Sequence, residues 1–199
     1  MVRAVAREIE LFFDVGSSYS YLAATQMAGV TARTGVAVRW RPFLLGAVFK
    51  ATANDLPVRV PAKARYMIAD MARWSAHYGV PFKLPSRFPL ITLRAQRALT
   101  AAPQDAIPAM ALSLFTTYWA EDQDPTTDAA ITAAAQAAGV DAGAILGAIE
   151  NQGTKDRLRA TTDEAIARGV FGAPSMLVGD ALFWGNDRIP LLEAHLATS

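Results

Sequence analysis

Cysteine is absent from this chain of 199 residues. That excludes a disulfide framework, a dithiol redox pair and thiolate ligation of a metal. Histidine is scarce. His77 and His195 lie far apart, each in a helix-like segment without ligand spacing, so no metal centre is expected. No Gly-x-Ser-x-Gly elbow accompanies either one, which argues against a hydrolase triad. Charge of one sign is also lacking: 19 basic residues stand against 18 acidic ones, for a net charge of +1. Without a basic stripe or a run of like charge, nucleic acid and polyanionic surfaces are not expected partners. Apolar runs such as Ala106 to Leu112 are far too short to span a bilayer. The opening Met-Val-Arg-Ala-Val-Ala-Arg-Glu has no apolar signal core, so no membrane association and a cytoplasmic location are expected.

What is present suffices for a sizeable core. The chain is 52% hydrophobic and 19% charged, and its length fits one domain or a small domain carrying an insertion. Ile9 to Val15 reads as a buried strand, residues 18 to 34 as a helix ending at Gly35, and Val36, Val38 and Trp40 as a second, alternating strand. Such a βαβ unit has parallel strands and a right-handed crossover. Pro42 to Pro61 reads as loop. Residues 61 to 170 are helical in character, with candidates at 93–100, 107–119, 127–138, 142–151 and 154–168. Met67, Met71, Trp74 and Tyr78 form an apolar stripe there, read as core with one edge able to line a pocket. Ser175 to Val178, a Gly179-Asp180 turn and Ala181 to Trp184 read as a hairpin, followed by a last helix from about 188. The fold class expected is α/β: a thioredoxin-like βαβ…ββα domain, residues 1–46 and 170–199, with a large all-helical insertion over 47–169.

The most informative segment is Phe12-Phe13-Asp14-Val15-Gly16-Ser17-Ser18-Tyr19-Ser20-Tyr21-Leu22. An apolar strand ends at Gly16 and two serines open a helix. Thiol-disulfide oxidoreductases of the thioredoxin type carry Cys-x-x-Cys at such a turn, and here hydroxyls stand where sulfurs would be. A helix N-terminus favours an anion such as a thiolate. A hydroxyl there can hold another molecule's thiolate but cannot form a disulfide with it. The segment therefore reads as a site that activates a small thiol, with glutathione the leading candidate. The plain alternative for Ser17-Ser18 is a helix cap and no more.

Four separated motifs together resemble the family of 2-hydroxychromene-2-carboxylate isomerases and kappa-class glutathione transferases, over nearly the whole chain. They are Phe13-Asp14 through Ser17-x-Tyr19-Ser20-Tyr21-Leu22; Arg41-Pro42-Phe43-Leu44-Leu45-Gly46 continuing to Asn54 and Pro61 through Tyr66; Gly169-Val170-Phe171-Gly172-Ala173-Pro174; and Phe183-Trp184-Gly185-Asn186-Asp187-Arg188. The resemblance implies a thioredoxin-like domain with a helical insertion, glutathione as cofactor, a small aromatic substrate and a homodimer. It assigns Ser17 as the catalytic serine that donates its hydroxyl hydrogen bond to the glutathione sulfur. Asn54 and Lys63 match residues contacting the tripeptide, Lys63 as counter-charge to the glycyl carboxylate. Ala173, before a cis Pro174, offers its backbone to the cysteinyl residue as an added strand would. Asn186 and Asp187 match the γ-glutamyl anchor.

Two positions depart from the family pattern. Ser18 stands where proline is usual, which makes it a rival sulfur partner, and Ile91 stands where a polar residue, often asparagine, is expected. The leading reading is a glutathione-dependent isomerase of an aromatic unsaturated α-keto acid, with Lys63 or Arg65 steering the substrate carboxylate. A kappa-like transferase or peroxidase and a non-catalytic thiol-binding domain are the alternatives.

Overall fold

The computed structural model describes residues 8–198. Strand β1 (Glu8–Phe13) leads through helix α1 (Ser18–Thr34) to β2 (Ala37–Pro42), and β1 and β2 pair in parallel with Leu11 opposite Trp40. Helices α2 (Leu45–Ala51), α3 (Pro61–Tyr78), α4 (Leu93–Ala101), α5 (Ile107–Trp119), α6 (Asp128–Ala137), α7 (Ala142–Ala148) and α8 (Gln152–Ala167) follow. Strands β3 (Ser175–Val178) and β4 (Ala181–Trp184) form the hairpin, and α9 (Ile189–Thr198) ends the described chain. The four strands lie in the order β2-β1-β3-β4, with β3 antiparallel to both neighbours. This is the expected thioredoxin-like α/β fold. No helix among the described residues is long and apolar enough to cross a membrane.

Period two along β1 divides its side chains between two cores. Ile9, Leu11 and Phe13 face a large cluster with residues of α1, α5 and α9, while Phe12 faces a smaller one with Phe43, Val48, Ala165 and Leu177. Glu10, on the same side as Phe12, stays partly buried because cations meet it. Arg41 bridges Glu10 and Glu164 while its guanidinium lies 5.0 Å from the Phe12 ring centroid, and Arg168 holds Glu10 at 2.6 Å. Helix α1 ends as its sequence predicts, at Gly35 in the left-handed region (φ 71°), with its N–H bonded to Thr31.

Two expectations need correction. The first strand ends at Phe13 rather than Val15, because residues 14 to 16 turn on the Asp14 carboxylate, whose Oδ1 accepts from Gly16 N–H at 2.9 Å. The segment from Pro42 to Pro61 is not all loop: it contains α2 and a single 3₁₀ turn at Pro57–Arg59. Helix α2 has no capping side chain of its own. Its N-terminal amides are met from far along the chain, Leu44 N–H by Thr162 Oγ1 at 3.1 Å and Leu45 N–H by Asp14 Oδ2 at 3.0 Å.

Candidate active site

Ser17 is the N-cap of α1, with extended backbone (φ −98°, ψ 116°). Its Oγ accepts from Ser20 N–H at 3.1 Å, which satisfies one of the helix's orphan amides, and donates to the Ala173 carbonyl at 3.0 Å. Ser17 therefore does both things that its position allows: it caps the helix and it directs a hydroxyl proton to the segment leading into β3, beside the end of the two central strands. Ser18, the first helical residue, is buried beside it. The turn that carries them is held rigidly. Ser17 N–H bonds the Asp14 carbonyl at 2.9 Å, and Trp119 Nε1–H bonds the Val15 carbonyl at 2.8 Å. Gln96, fully buried on α4, donates Nε2–H to the carbonyls of Phe13 (2.9 Å) and Phe43 (2.8 Å) and accepts from Val15 N–H at 3.3 Å. One side-chain amide thus closes the gap where β1 and β2 part.

Two clefts flank this turn. The first, about 460 Å³, is bordered by Tyr19, Ala173, Asn186 and Asp187 together with Asp70 and the rings of Tyr66, Trp74 and Trp184. The second, about 430 Å³, lies on the Gly16 side and is walled mainly by apolar residues of α2 and of the segment before α4. The first is rich in charge and aromatic faces; the second is greasy.

The structure brings Ser17, Ala173, Asn186 and Asp187 to one locality, and the Ala173–Pro174 bond is cis. Asn186 is buried, and its carbonyl accepts from Tyr78 Oη at 3.2 Å. Asp187 is exposed beside Arg188 at 3.0 Å. Gly185 makes this turn possible: its φ is 106°, and a Cβ there would collide with Asp187 Oδ1. Lys63 borders an adjoining groove that shares Tyr19 and Tyr66 with the first cleft. Asn54 stands apart from both clefts, tied by Nδ2–H to the Phe171 carbonyl at 3.2 Å, two residues before Ala173.

Several residues escaped the sequence reading. Tyr19 donates to Asp70 Oδ2 at 2.9 Å, and burial, then that carboxylate, pushes the phenol above its ordinary range. On α3 the apolar stripe splits. Met67, Met71 and Ser75 are buried, while Tyr66, Asp70 and Trp74, one position earlier at the same spacing of four, border the first cleft. That second row was visible in the sequence as a helical face mixing rings with a carboxylate. Asp14 is buried, which raises its carboxyl above the usual range, although hydrogen bonds from Thr92, Gly16 and Leu45 pull it back in part. A polar Gln96 among Ala95, Ala98 and Leu99 on a buried face was the available signal for the clamp.

This arrangement can hold an anion at Ser17 between a polar and an apolar recess. Residues 8–197 match the family model of the DSBA-like thioredoxin domain. The chain belongs to this family. Within it, the chain is 33% identical over 194 residues to the 2-hydroxychromene-2-carboxylate isomerase of Sphingobium xenophagum, covering 96% of this chain and 99% of that one. It is 31% identical over 205 residues to glutathione S-transferase kappa 1 of Homo sapiens, covering 96% and 90%. A solved 2-hydroxychromene-2-carboxylate isomerase superposes with a TM-score of 0.87 at 26% identity, covering 95% and 94%. This DsbA-like protein is therefore of the isomerase and kappa-transferase group, an enzyme of isomerase or transferase type rather than a cysteine-based oxidoreductase.

Proposed function

We propose that the protein binds glutathione along the first cleft, holds its sulfur as a thiolate at Ser17, and adds that thiolate reversibly to an unsaturated aromatic substrate. The observation that carries this reading is the Ser17 hydroxyl, set at the N-terminus of a 17-residue helix and 3.0 Å from Ala173 O, between a polar and an apolar cleft. A bound sulfur would take the hydroxyl hydrogen that Ala173 O now accepts. In this reading Ala173 docks the cysteinyl backbone, Asn186 and Asp187 anchor the γ-glutamyl end, and Lys63 faces the glycyl carboxylate. Asn54 acts by bracing the 171–174 segment.

A free thiol of pKa about 8.5 is only ~3% thiolate at pH 7. Lowering it by about two units, ~2.7 kcal/mol, gives ~75% thiolate. A hydrogen bond to a charged group contributes about 1.5–3 kcal/mol and a helix terminus about 0.3–1, so this site suffices. The thiol proton leaves to solvent. The sulfur lone pair forms a C–S bond at the electron-poor carbon while the C=C pair moves onto the conjugated carbonyl as an enolate. Rotation about the new single bond follows. The enolate then re-forms the double bond and expels the thiolate, so glutathione returns unchanged. The substrate type in this reading is an aromatic unsaturated α-keto acid or its cyclic form, a 2-hydroxychromene-2-carboxylate such as names the bacterial relatives.

Incubation with glutathione and 2-hydroxychromene-2-carboxylate tests this. The expected result is isomerised product with glutathione fully recovered. Stoichiometric loss of glutathione into a thioether would make the protein a transferase instead. Asp187→Ala is expected to weaken glutathione by about 1–2 kcal/mol, less than for a buried pair because the carboxylate is exposed. It should leave a thiol lacking the γ-glutamyl ammonium unaffected. Equal losses in titrations of both thiols would reduce Asp187 to a turn residue.

A further inference from the structure

The cleft on the Gly16 side has a chemical character that narrows the second substrate, and the inference rests on the glutathione reading above. Its volume of about 430 Å³ is that of a small-ligand pocket. Leu45, Phe49, Leu56, Leu90 and Leu93 wall it, and among the described residues no lysine or arginine borders it. The one carboxyl on its wall, Asp14, is fully engaged. Oδ1 accepts from Gly16 N–H at 2.9 Å and Thr92 Oγ1 at 2.6 Å, and Oδ2 accepts from Leu45 N–H at 3.0 Å. At the rim stands Ile91, 85% exposed, where a polar side chain would have offered a hydrogen bond.

A carboxylate entering this recess would give up water, gain no cation and approach Asp14. The cations beyond Leu44, Ala47 and Leu93 border an adjoining groove, which shares those three residues with the cleft. There Arg97 and Lys155 hold Glu150 at 2.7 and 2.8 Å, with Arg159 exposed alongside. Charge is thus segregated: Asp70, Asp187 and Arg188 border the glutathione side, and the other side is mainly apolar and has no cation on its wall. Apolar contact grows with the area buried and does not depend on a substrate's acid group.

We propose that this cleft recognises the second substrate by its ring alone, so that uncharged aromatic enones are substrates at least as good as the matching α-keto acids. The test compares an aryl-substituted unsaturated methyl ketone with the α-keto acid carrying the same ring and double bond. Each kcat/KM is divided by the uncatalysed rate with glutathione, and the ultraviolet thiolate band of bound glutathione is recorded alongside. The expected ratio, ketone over acid, is one or more. A ratio below one with the thiolate band present overturns ring recognition. Absence of the band would instead overturn the glutathione reading.

Gly46→Leu locates the effect. Gly46 borders the cleft, and a Cβ built on it meets nothing within 4 Å, so α2 accepts the side chain. The variant should raise KM tenfold or more for both electrophiles with the thiolate band unchanged. An unaltered KM for both would remove this cleft from the reaction.

Discussion

Replacing Ser17 with alanine is expected to raise the pKa of bound glutathione by one to two units and so to cut the thiolate fraction, and with it turnover, by roughly 3- to 25-fold at pH 7. The shift is that of one hydrogen bond to a charged group, about 1.5–3 kcal/mol. Alanine also removes the cap on Ser20 N–H, which costs about 0.5–2 kcal/mol of stability. Ser17→Gly separates the two effects, because glycine at an N-cap costs only a few tenths of a kcal/mol. The glycine variant should therefore lose the thiolate band as fully as alanine does while unfolding closer to the wild type. Ser18→Ala serves as the rival test. If the band survives in Ser17→Gly and disappears in Ser18→Ala, the second hydroxyl is the sulfur partner.

The largest effect on stability is expected at Gln96, which lines neither cleft. Gln96→Leu keeps the bulk of the side chain and strips partners from Val15 N–H and Phe43 O, while Phe13 O keeps only its bond from Phe43 N–H at 3.2 Å. A buried backbone group left without a partner costs about 1–3 kcal/mol, so losing two should cost roughly 2–6 kcal/mol in urea unfolding. A loss under 1 kcal/mol would mean that water takes over the amide's role.

Gln96→Glu gives the same test a pH axis. A carboxylate facing two carbonyls is disfavoured, so its folded pKa lies above its unfolded value. A group raised in this way contributes most when protonated, and the variant's stability should therefore rise as pH falls through the folded pKa. Wild-type protein, with a neutral amide at this position, should not show that added slope.

Much of this protein is legible in its sequence because the relevant forces act over short chain distances. Alternating apolar residues at 36–40 make β2 and the Gly179-Asp180 turn makes the hairpin, while two serines start α1 and Gly35 stops it. Absence of cysteine removes a whole chemistry by itself. The four motifs point to the family, and they place Ser17, Ala173, Asn186 and Asp187 in one locality.

What only the tertiary structure decided involves partners remote in sequence. Helix α2 is not legible in the sequence, because its capping groups, Asp14 and Thr162, lie 31 and 118 positions away. Asn54 is expected from the sequence to contact the tripeptide, and its amide reaches Phe171, across 117 positions. The clamp of Gln96 on the β1–α1 turn spans 81 positions, and no local periodicity encodes it. The same limit applied to the α3 stripe: its spacing showed a helix face, but only packing divided Met67 and Met71 in the core from Asp70 and Trp74 at the cleft. Periodicity follows from local backbone geometry. Which polar group meets which, and on which side charge collects, depends on contacts made after the chain has closed on itself.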